Sequence, residues 1–376
     1  MSITIKEVKT KCELKQFINF IYKLYKGNEF WSPQLRTDEW KVLSKSKNPA
    51  FEYCTSRYWL AYKDGKIVGR IAGIINNKSN EKWKEKKVRF GWIDFIDDID
   101  VCKALLDTVE NWAKELGMDG VHGPLGFTDM DNEGMIVKGF EELSTLASIY
   151  NYPYYPVYLE KLGYLKDVDW VQYEFKIPDK PIEKVEKFAE IVKERYDLRV
   201  LEVKKAKELK PYAVQMFHVL NEAFSHLYGF TALNDIQIQQ YIDQYFGFIN
   251  PDLICLVLDK EDRVVGFGIS MPSLTKAMQK CNGKLFPFGF IYLLRSLKKF
   301  NRIDMYLNGV LPEYHGKGVH SIYYDYLNRS YIKHKVKLAV TNPQLEENAK
   351  ALNVWKYYDG RQHITRRCYV KHMNNA

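Results

Sequence analysis

The chain has 376 residues, 46% of them hydrophobic and 15% aromatic, with 56 Lys+Arg against 47 Asp+Glu. At ~150 residues per domain this is two domains or one large one with apolar side chains enough for a full core, which excludes disordered, collagen-like and coiled-coil classes. The charge is uneven: residues 1–180 hold 27 basic and 27 acidic side chains, so residues 181–376 carry 29 against 20 and the whole net charge of +9.

In chain order, an alternating stretch Ile3–Val8 precedes a helix-period segment Glu13–Tyr25, with Leu14, Phe17, Ile18, Ile21 and Leu24 on one face. Strand patterns Ser56–Lys63 and Lys66–Ile74 flank Asp64-Gly65, a hairpin signal, and Val88–Phe95 continues the sheet. Asp100–Leu116 reads as an amphipathic helix, followed by a short strand over Gly120–Phe127, a loop, a Tyr-rich helix ending at Leu162-Gly163 and a strand Val168–Ile177. Pro178-Asp-Lys-Pro181 marks a boundary between 1–178 and 182–376.

Beyond it come a helix Ile182–Tyr196, a strand Leu198–Val203, helices over Ala206–Tyr228, and strands Leu253–Asp259 and Val264–Met271. An apolar insertion, a strand Arg302–Leu311, a Gly-containing turn, a helix to about Lys333, a strand Lys337–Thr341, a helix Glu346–Tyr358 and a strand Ile364–Lys371 complete the chain. Both halves read β-α-α-β-β-β-α-β-α-β, an internal duplication of one α/β unit.

Cys12, Cys54, Cys102, Cys255, Cys281 and Cys368 form no CxxC and no Cys/His cluster, so neither a metal site nor a disulfide framework is expected and a reducing cytoplasm is. The N-terminus lacks an apolar signal region and no apolar run approaches the ~20 residues that span a bilayer. Lys and Arg are too dispersed for a nucleic-acid surface, and no DNA partner is expected.

The segment Met305–Tyr324 carries the most chemistry: an alternating strand enters a Pro-led turn with Gly316 and Gly318, and a helix follows at once. Amides at such a helix start have no intrahelical partner and the helix dipole adds positive charge, which suits a pyrophosphate. Lys317 adds charge. The spacing matches neither a Walker loop nor GxGxxG, and an ordinary strand-to-helix connection is the plain alternative.

Val310-Leu-Pro-Glu-Tyr-His-Gly-Lys-Gly-Val319 resembles the pyrophosphate loop of the GNAT acyl-CoA N-acyltransferase superfamily, and Asn348-Ala-Lys-Ala-Leu-Asn-Val-Trp-Lys-Tyr-Tyr358 is similar to its second motif. Tyr158-Leu-Glu-Lys-Leu-Gly-Tyr164 is a weaker echo in the first half. Gly123-Pro-Leu-Gly-Phe, Tyr152-Pro-Tyr-Tyr, Asn221-Glu-Ala-Phe and Thr341–Asn348 resemble tandem GNAT proteins related to bacterial ceramide synthases. The resemblance implies an α/β (α+β by some schemes) fold of two tandem GNAT-like domains, each a mixed, mostly antiparallel sheet with helices on both faces. It further implies coenzyme A or acyl-CoA as co-substrate, held by Val310, Leu311, His315, Gly316, Lys317, Gly318, Val319 and Asn348. No metal is implied.

The sequence departs from that pattern at His315, where the superfamily has Arg or Gln, at His320, where it has Gly or Ala, and at Trp355, where it has the tyrosine that protonates the leaving thiolate. Tyr357, Tyr358 or water would take that role, or the second half does no catalysis. The superfamily's oxyanion donors are backbone amides of the strand before the loop, here Gly309–Leu311. Asp304, Tyr306, Asn308 and Val310 should share one strand face, where Asn308 could orient an amine or a water. Base candidates are His320, biased neutral by the helix dipole, and Glu222 and His226, spaced i,i+4, for which a solvated pair is the plain alternative.

At the matching turn the first half has Asp94, Asp97, Asp98 and Asp100 and no glycine, so a cofactor site is expected only in the second half. Lys333, His334, Lys335 and Lys337 follow the loop's helix and are expected either to serve the cofactor's phosphates or to form a solvated helix end.

Lys284–Leu294 is apolar and is followed by Arg295, Lys298, Lys299 and Arg302: it would line an acyl pocket, meet an anionic membrane surface, or form a buried helix between the halves. Tyr150, Tyr152, Tyr154, Tyr155 and Tyr158 would form a pocket wall or a domain interface. The expectation is an N-acyltransferase acting on a small or lipid-like amine, cytoplasmic, with a membrane-peripheral placement open. The alternatives are a non-catalytic acyl-CoA-binding or scaffold protein and an aminoacyl-tRNA-dependent transferase on the same duplicated fold.

Overall fold

The computed structural model describes residues 2–245 and 249–373. β1 (Ile3–Glu7) leads into α1 (Lys11–Leu24), whose start is fixed by a capping box: Glu13 N donates to the Thr10 hydroxyl and Thr10 N to the Glu13 carboxylate. The first half continues with α2 (Arg36–Leu43), β2 (Cys54–Lys63), β3 (Lys66–Asn76), α3 (Asn77–Trp83), β4 (Lys87–Phe95) and α4 (Ile99–Glu115). It ends with β5 (Gly120–Gly123), β6 (Met135–Lys138), α5 (Tyr154–Lys161) and β7 (Leu165–Lys176).

The second half begins with α6 (Glu183–Tyr196), β8 (Arg199–Val200), α7 (Ala213–Phe224), α8 (Asp235–Tyr245), β9 (Ile254–Leu258) and β10 (Val264–Pro272). It continues with α9 (Thr275–Cys281), α10 (Gly289–Lys298), β11 (Arg302–Val310), α11 (His320–Lys333), β12 (Leu338–Val340), β13 (Gln344–Leu345), α12 (Ala349–Leu352) and β14 (Arg361–His372).

All the strands join one sheet ordered β1-β2-β3-β4-β5-β14-β7-β12-β11-β10-β9-β8, with β6 and β13 added at its centre. The halves are interlocked. β14, the end of the second half, pairs antiparallel with β5 of the first, and β7, the end of the first half, pairs antiparallel with β12 of the second. β7 and β14 also pair with each other, from Arg361 opposite Glu174 to Val370 opposite Leu165.

Helices cover both faces. In the first half α4 buries Leu105, Leu106, Val109 and Trp112 on one face, and α1 buries Phe17, Ile18 and Ile21 on the other. In the second half α6 and α11 cover one face and α7 and α8 the other.

Several elements differ from the sequence pattern for local reasons. The strand at Gly120 stops at Gly123 because the chain turns and Leu125 N donates to Phe90 O. The helix after Ala206 opens as a 3-10 turn containing Pro211, which has no N–H to give, and becomes α-helical only at Ala213. Glu346–Tyr358 is broken into short α12 and a 3-10 turn Asn353–Tyr358. α10 is not a buried helix: Gly289 is its one buried residue. No helix among the described residues is long and apolar enough to cross a membrane.

Candidate active site

β11 and β12 run parallel only from Arg302 opposite Leu338 to Asp304 opposite Val340, and then part. At the far end of β11, Pro312–Tyr314 forms a 3-10 turn, Lys317 N donates to Tyr314 O, and the His315 ring meets Val310 O at 2.9 Å. Gly316 and Gly318 sit at φ +77° and +81°, a backbone region costly for other residues, and Gly318 also faces the Phe188 ring, which an added Cβ would approach to 2.8 Å. The amides of Gly316, Gly318, Val319 and His320 donate to no protein acceptor among the described residues, and α11 begins without a side-chain cap. Open amides, a positive dipole end and no carboxylate cap fit a phosphate group.

The expected cations are placed otherwise. Lys317 Nζ lies over the rings of Tyr314 and Tyr196, at 4.7 and 5.3 Å. Lys333 and His334 both pair with Asp252, at 2.9 and 2.8 Å. Because α11 is fourteen residues long, Lys333–Lys337 lie ~20 Å from the loop, at the opposite end of the helix. They form a helix end and do not reach a ligand at Gly316–Gly318.

Between the halves, on the face covered by α1, α2, α7 and α8, lies a cavity of about 2230 Å³. It takes in Met305, Tyr306, Leu307 and Asn308 of β11 together with Thr341 and Asn342, so the gap between β11 and β12 opens into it. The four segments that resemble ceramide synthase relatives converge on it: Pro124 and Leu125, Tyr155, Phe224, and Thr341–Leu345 all contribute to its wall. Asn221 braces this arrangement from behind, its amide group bonding both the N–H and the carbonyl of Leu233 at 2.9 Å.

One stretch of the wall was absent from the sequence-based candidates. Asp129, Asp131 and Glu133, from the loop between β5 and β6, line the cavity and are half-buried there. Burial pushes Asp129 up to about 7, against the opposing pull of Arg89 and Lys82, and Asp131 up to about 6, although it accepts the amides of Phe127 and Thr128. Glu133 is raised well above the usual range by burial and by Asp129 beside it. Carboxyl groups with such values exchange protons near neutrality, as a general base must. The spacing Asp-x-Asp-x-Glu in a loop closed by Gly134 was the signal available in the sequence.

Elsewhere in the wall, the Arg70 guanidinium is committed to Asp94 and to Phe17 O, and Asp94 also accepts from the Tyr25 hydroxyl at 2.9 Å. Glu39 accepts the Trp92 indole N–H at 2.8 Å and is raised by burial.

The sequence-predicted residues divide. Asn308 and Asn348 line the cavity; Asn308 accepts from the Tyr323 hydroxyl at 3.3 Å, while Asn348 caps α12 by accepting from Ala351 N. Val310, Leu311, His315, Gly316, Lys317, Gly318 and Val319 stand beyond its edge, and Leu311 N is spent on Val265 O. His320 is also outside the lining, near the Tyr324 ring, and burial lowers it, keeping the imidazole neutral. Glu222 and His226 are exposed, with His226 facing the His315 ring. Tyr357 is exposed under Lys184 Nζ, and Tyr358 is buried with an unpartnered hydroxyl off the cavity. Trp355 lines the cavity but is 1% exposed, and its N–H donates to Gln344 at 2.7 Å.

At the matching point of the first half the tyrosines pack against the strand end, and of the expected pocket-wall tyrosines Tyr150 and Tyr155 also line the cavity. Tyr155 stacks on Phe95 at 4.1 Å, the Tyr154 hydroxyl donates to Phe95 O and that of Tyr158 to Asp97, while Asp98 caps α4 and pairs with Lys63.

Among the described residues, two clusters have metal-like composition. His122, Asp167 and Cys368 surround the Tyr228 hydroxyl, which donates to Asp167 at 2.5 Å, and Glu142 and Glu174 beside His363 take the Arg361 guanidinium. In each the centre is filled by a side chain.

No family model matches the chain. It is 28% identical over 289 residues to protein YghO of Escherichia coli K12, covering 77% of this chain and 73% of that one. It is 25% identical over 308 residues to a bacterial ceramide synthase of Caulobacter vibrioides, covering 79% and 77%. Among solved structures, a tandem GNAT protein from the clavulanic acid biosynthesis pathway superposes over the full length of both chains with TM-score 0.57 at 9% identity. A GCN5-related glucosamine N-acetyltransferase region of a fungal β-N-acetylglucosaminidase superposes over 98% of this chain and 38% of that one, with TM-score 0.54 at 13% identity. The chain therefore has the tandem GNAT fold.

Proposed function

We propose that the protein is an acyl-CoA-dependent N-acyltransferase with one working site, in the second half, transferring an acyl group to a lipid-like amine. The observation that carries this reading is the path from loop to cavity: amides of Gly316, Gly318, Val319 and His320 without acceptors among the described residues, then β11, then a gap between β11 and β12 that opens at Met305–Asn308. A CoA pyrophosphate held on the loop would direct its thioester along β11 into the cavity. The volume, about 2230 Å³, exceeds the ~300–1,000 Å³ of small-molecule pockets and suits long chains. The similarity to a ceramide synthase supports a lipid acceptor.

Amide formation needs a neutral amine, a stabilised oxyanion and a protonated thiolate. Asp129, with Glu133 beside it, is the base that this reading favours: it lines the cavity, where burial pushes its carboxyl up to about 7. Asn308, fixed by Tyr323, orients the amine. Trp355 supplies no proton, so the thiolate takes its proton from Tyr306, which lines the cavity on the same strand as Asn308, or from water.

The test is release of free thiol from acetyl-CoA and longer acyl-CoAs with sphingoid bases, simple alkylamines and amino acids as acceptors. Long-chain donors and lipid amines should give the highest kcat/KM, with binding tightening up to about tenfold for each two methylenes added. CoA stabilisation without turnover on any amine would favour a non-catalytic acyl-CoA binder, and no stabilisation by any acyl-CoA would defeat both.

A further inference from the structure

Of the surplus of nine positive charges in the second half, seven lie in one stretch: residues 264–303 contain Lys276, Lys280, Lys284, Arg295, Lys298, Lys299 and Arg302 and no Asp or Glu. All but Arg302 are exposed, and none of those six takes part in an ion pair among the described residues. α9 is anchored to the first half, since Gln279 Nε2 donates to Glu29 O and Trp31 O and the Thr275 hydroxyl to Ser144 O at 2.8 Å. The turn after it and α10 therefore project from a fixed base.

This projection carries the most exposed large hydrophobic side chains among the described residues. Phe286 is 79% exposed and Phe288 69%, with Phe290, Tyr292 and Leu294 also exposed. Phe286, Phe290, Leu293, Leu294 and Leu297 also line the cavity, so its mouth opens here. An apolar rim at the mouth of a large apolar cavity, ringed by unpaired cations, is complementary to a surface with negative headgroups above hydrocarbon.

We infer that the α9–α10 projection docks on an anionic lipid bilayer, with Phe286 and Phe288 entering the interface and the surrounding lysines and arginine meeting lipid phosphates, so that the cavity opens directly onto the membrane. Aromatic side chains partition to this interface and each cation near it strengthens binding. The docking does not depend on acyl transfer; delivery of a lipid amine through the mouth rests on the function proposed above.

Sedimentation of the full chain with vesicles tests this. Phosphatidylglycerol-containing vesicles should retain the protein, pure phosphatidylcholine vesicles should hold it at least about tenfold more weakly, and salt raised toward ~0.5 M should release it. Phe286→Ser with Phe288→Ser should cut retention about tenfold, and Lys298→Glu and Lys299→Glu about fivefold or more each. Lys335→Glu, an exposed cation elsewhere, should leave retention unchanged. Equal binding to both vesicle types, or unaltered binding of the double Phe variant, overturns the proposal. So does a concentration-dependent dimer without vesicle binding that the double variant abolishes, since the surface then belongs to a second copy of the chain. Thermal stabilisation by CoA, measured on the same variants, reports the acyltransferase reading separately and should persist in all of them.

Discussion

The amide of Leu125 donates to the carbonyl of Phe90 at 2.9 Å, closing the point where β4 and β5 part after Arg89 opposite His122. The corresponding parting of β11 and β12 opens into the cavity. One copy of the duplicated unit thus has its strand gap bridged by a backbone hydrogen bond, beyond which Trp92–Asp94 and Leu125 reach the cavity wall, while among the described residues no such bond bridges the gap in the other.

Binding should accordingly saturate at one CoA per chain by titration calorimetry. Gly316→Ala places a side chain in open space but at φ +77°, at a cost of about 1–2 kcal/mol in the bound loop conformation, so CoA should bind roughly tenfold more weakly to a folded protein. Asp97→Asn, in the matching first-half turn, should leave CoA binding unchanged. A stoichiometry of two would refute the single site.

Asp129→Asn should lower turnover by about 10²–10⁴. In the parent protein kcat/KM should rise with pH through about 7, where Asp129 loses its proton. Stability gives a second readout. A carboxyl raised in the folded state keeps its proton while the unfolded chain loses it, so stability falls as pH rises from about 4 to about 7 and is level above. The variant should therefore melt ~2 °C or more above the parent at pH 8 and together with it near pH 4. A variant that is both fully active and no more stable at pH 8 would rule the carboxylate out.

Trp355→Phe removes the N–H that donates to Gln344 while keeping a ring between Phe175 and Tyr324. Thermal unfolding should show a loss of about 1–3 kcal/mol. Turnover within about threefold of the parent would agree with a residue that packs and donates no proton; a loss of orders of magnitude would return a chemical role to this position.

The chain can be divided between Pro178 and Pro181. Expressed alone, fragment 1–179 lacks β14 and fragment 180–376 lacks β7, which leaves β5 and β12 as unpaired edges. The fragments should be insoluble or misassembled singly and copurify as a one-to-one complex when coexpressed. Two stable, separately soluble monomers would contradict the exchange.

Much of this architecture was legible from short-range signals. Asp64-Gly65 specified the β2–β3 hairpin because both residues adopt the left-handed backbone that its turn requires. The two series of elements specified a duplication. The exchange of β7 and β14 was not legible, because a strand with one alternation pattern fits beside either half. The carboxylates of the Asp129–Glu133 loop were not singled out either: only the tertiary fold carries them from the first half to a cavity shared with β11. His320 drew attention through its place at a helix start, but it lies outside the cavity lining, beside the ring of Tyr324 one turn along its own helix.

Because β14 is hydrogen-bonded on one side to β5 and on the other to β7, the floor between the halves is a single continuous sheet with no hinge in it. The halves cannot swing apart to admit a bulky substrate without breaking central strand pairs. Entry and exit are left to the exposed parts of the rim, among them α10 and the turn before it, so the rate of product release should follow substitutions there more closely than any in the sheet.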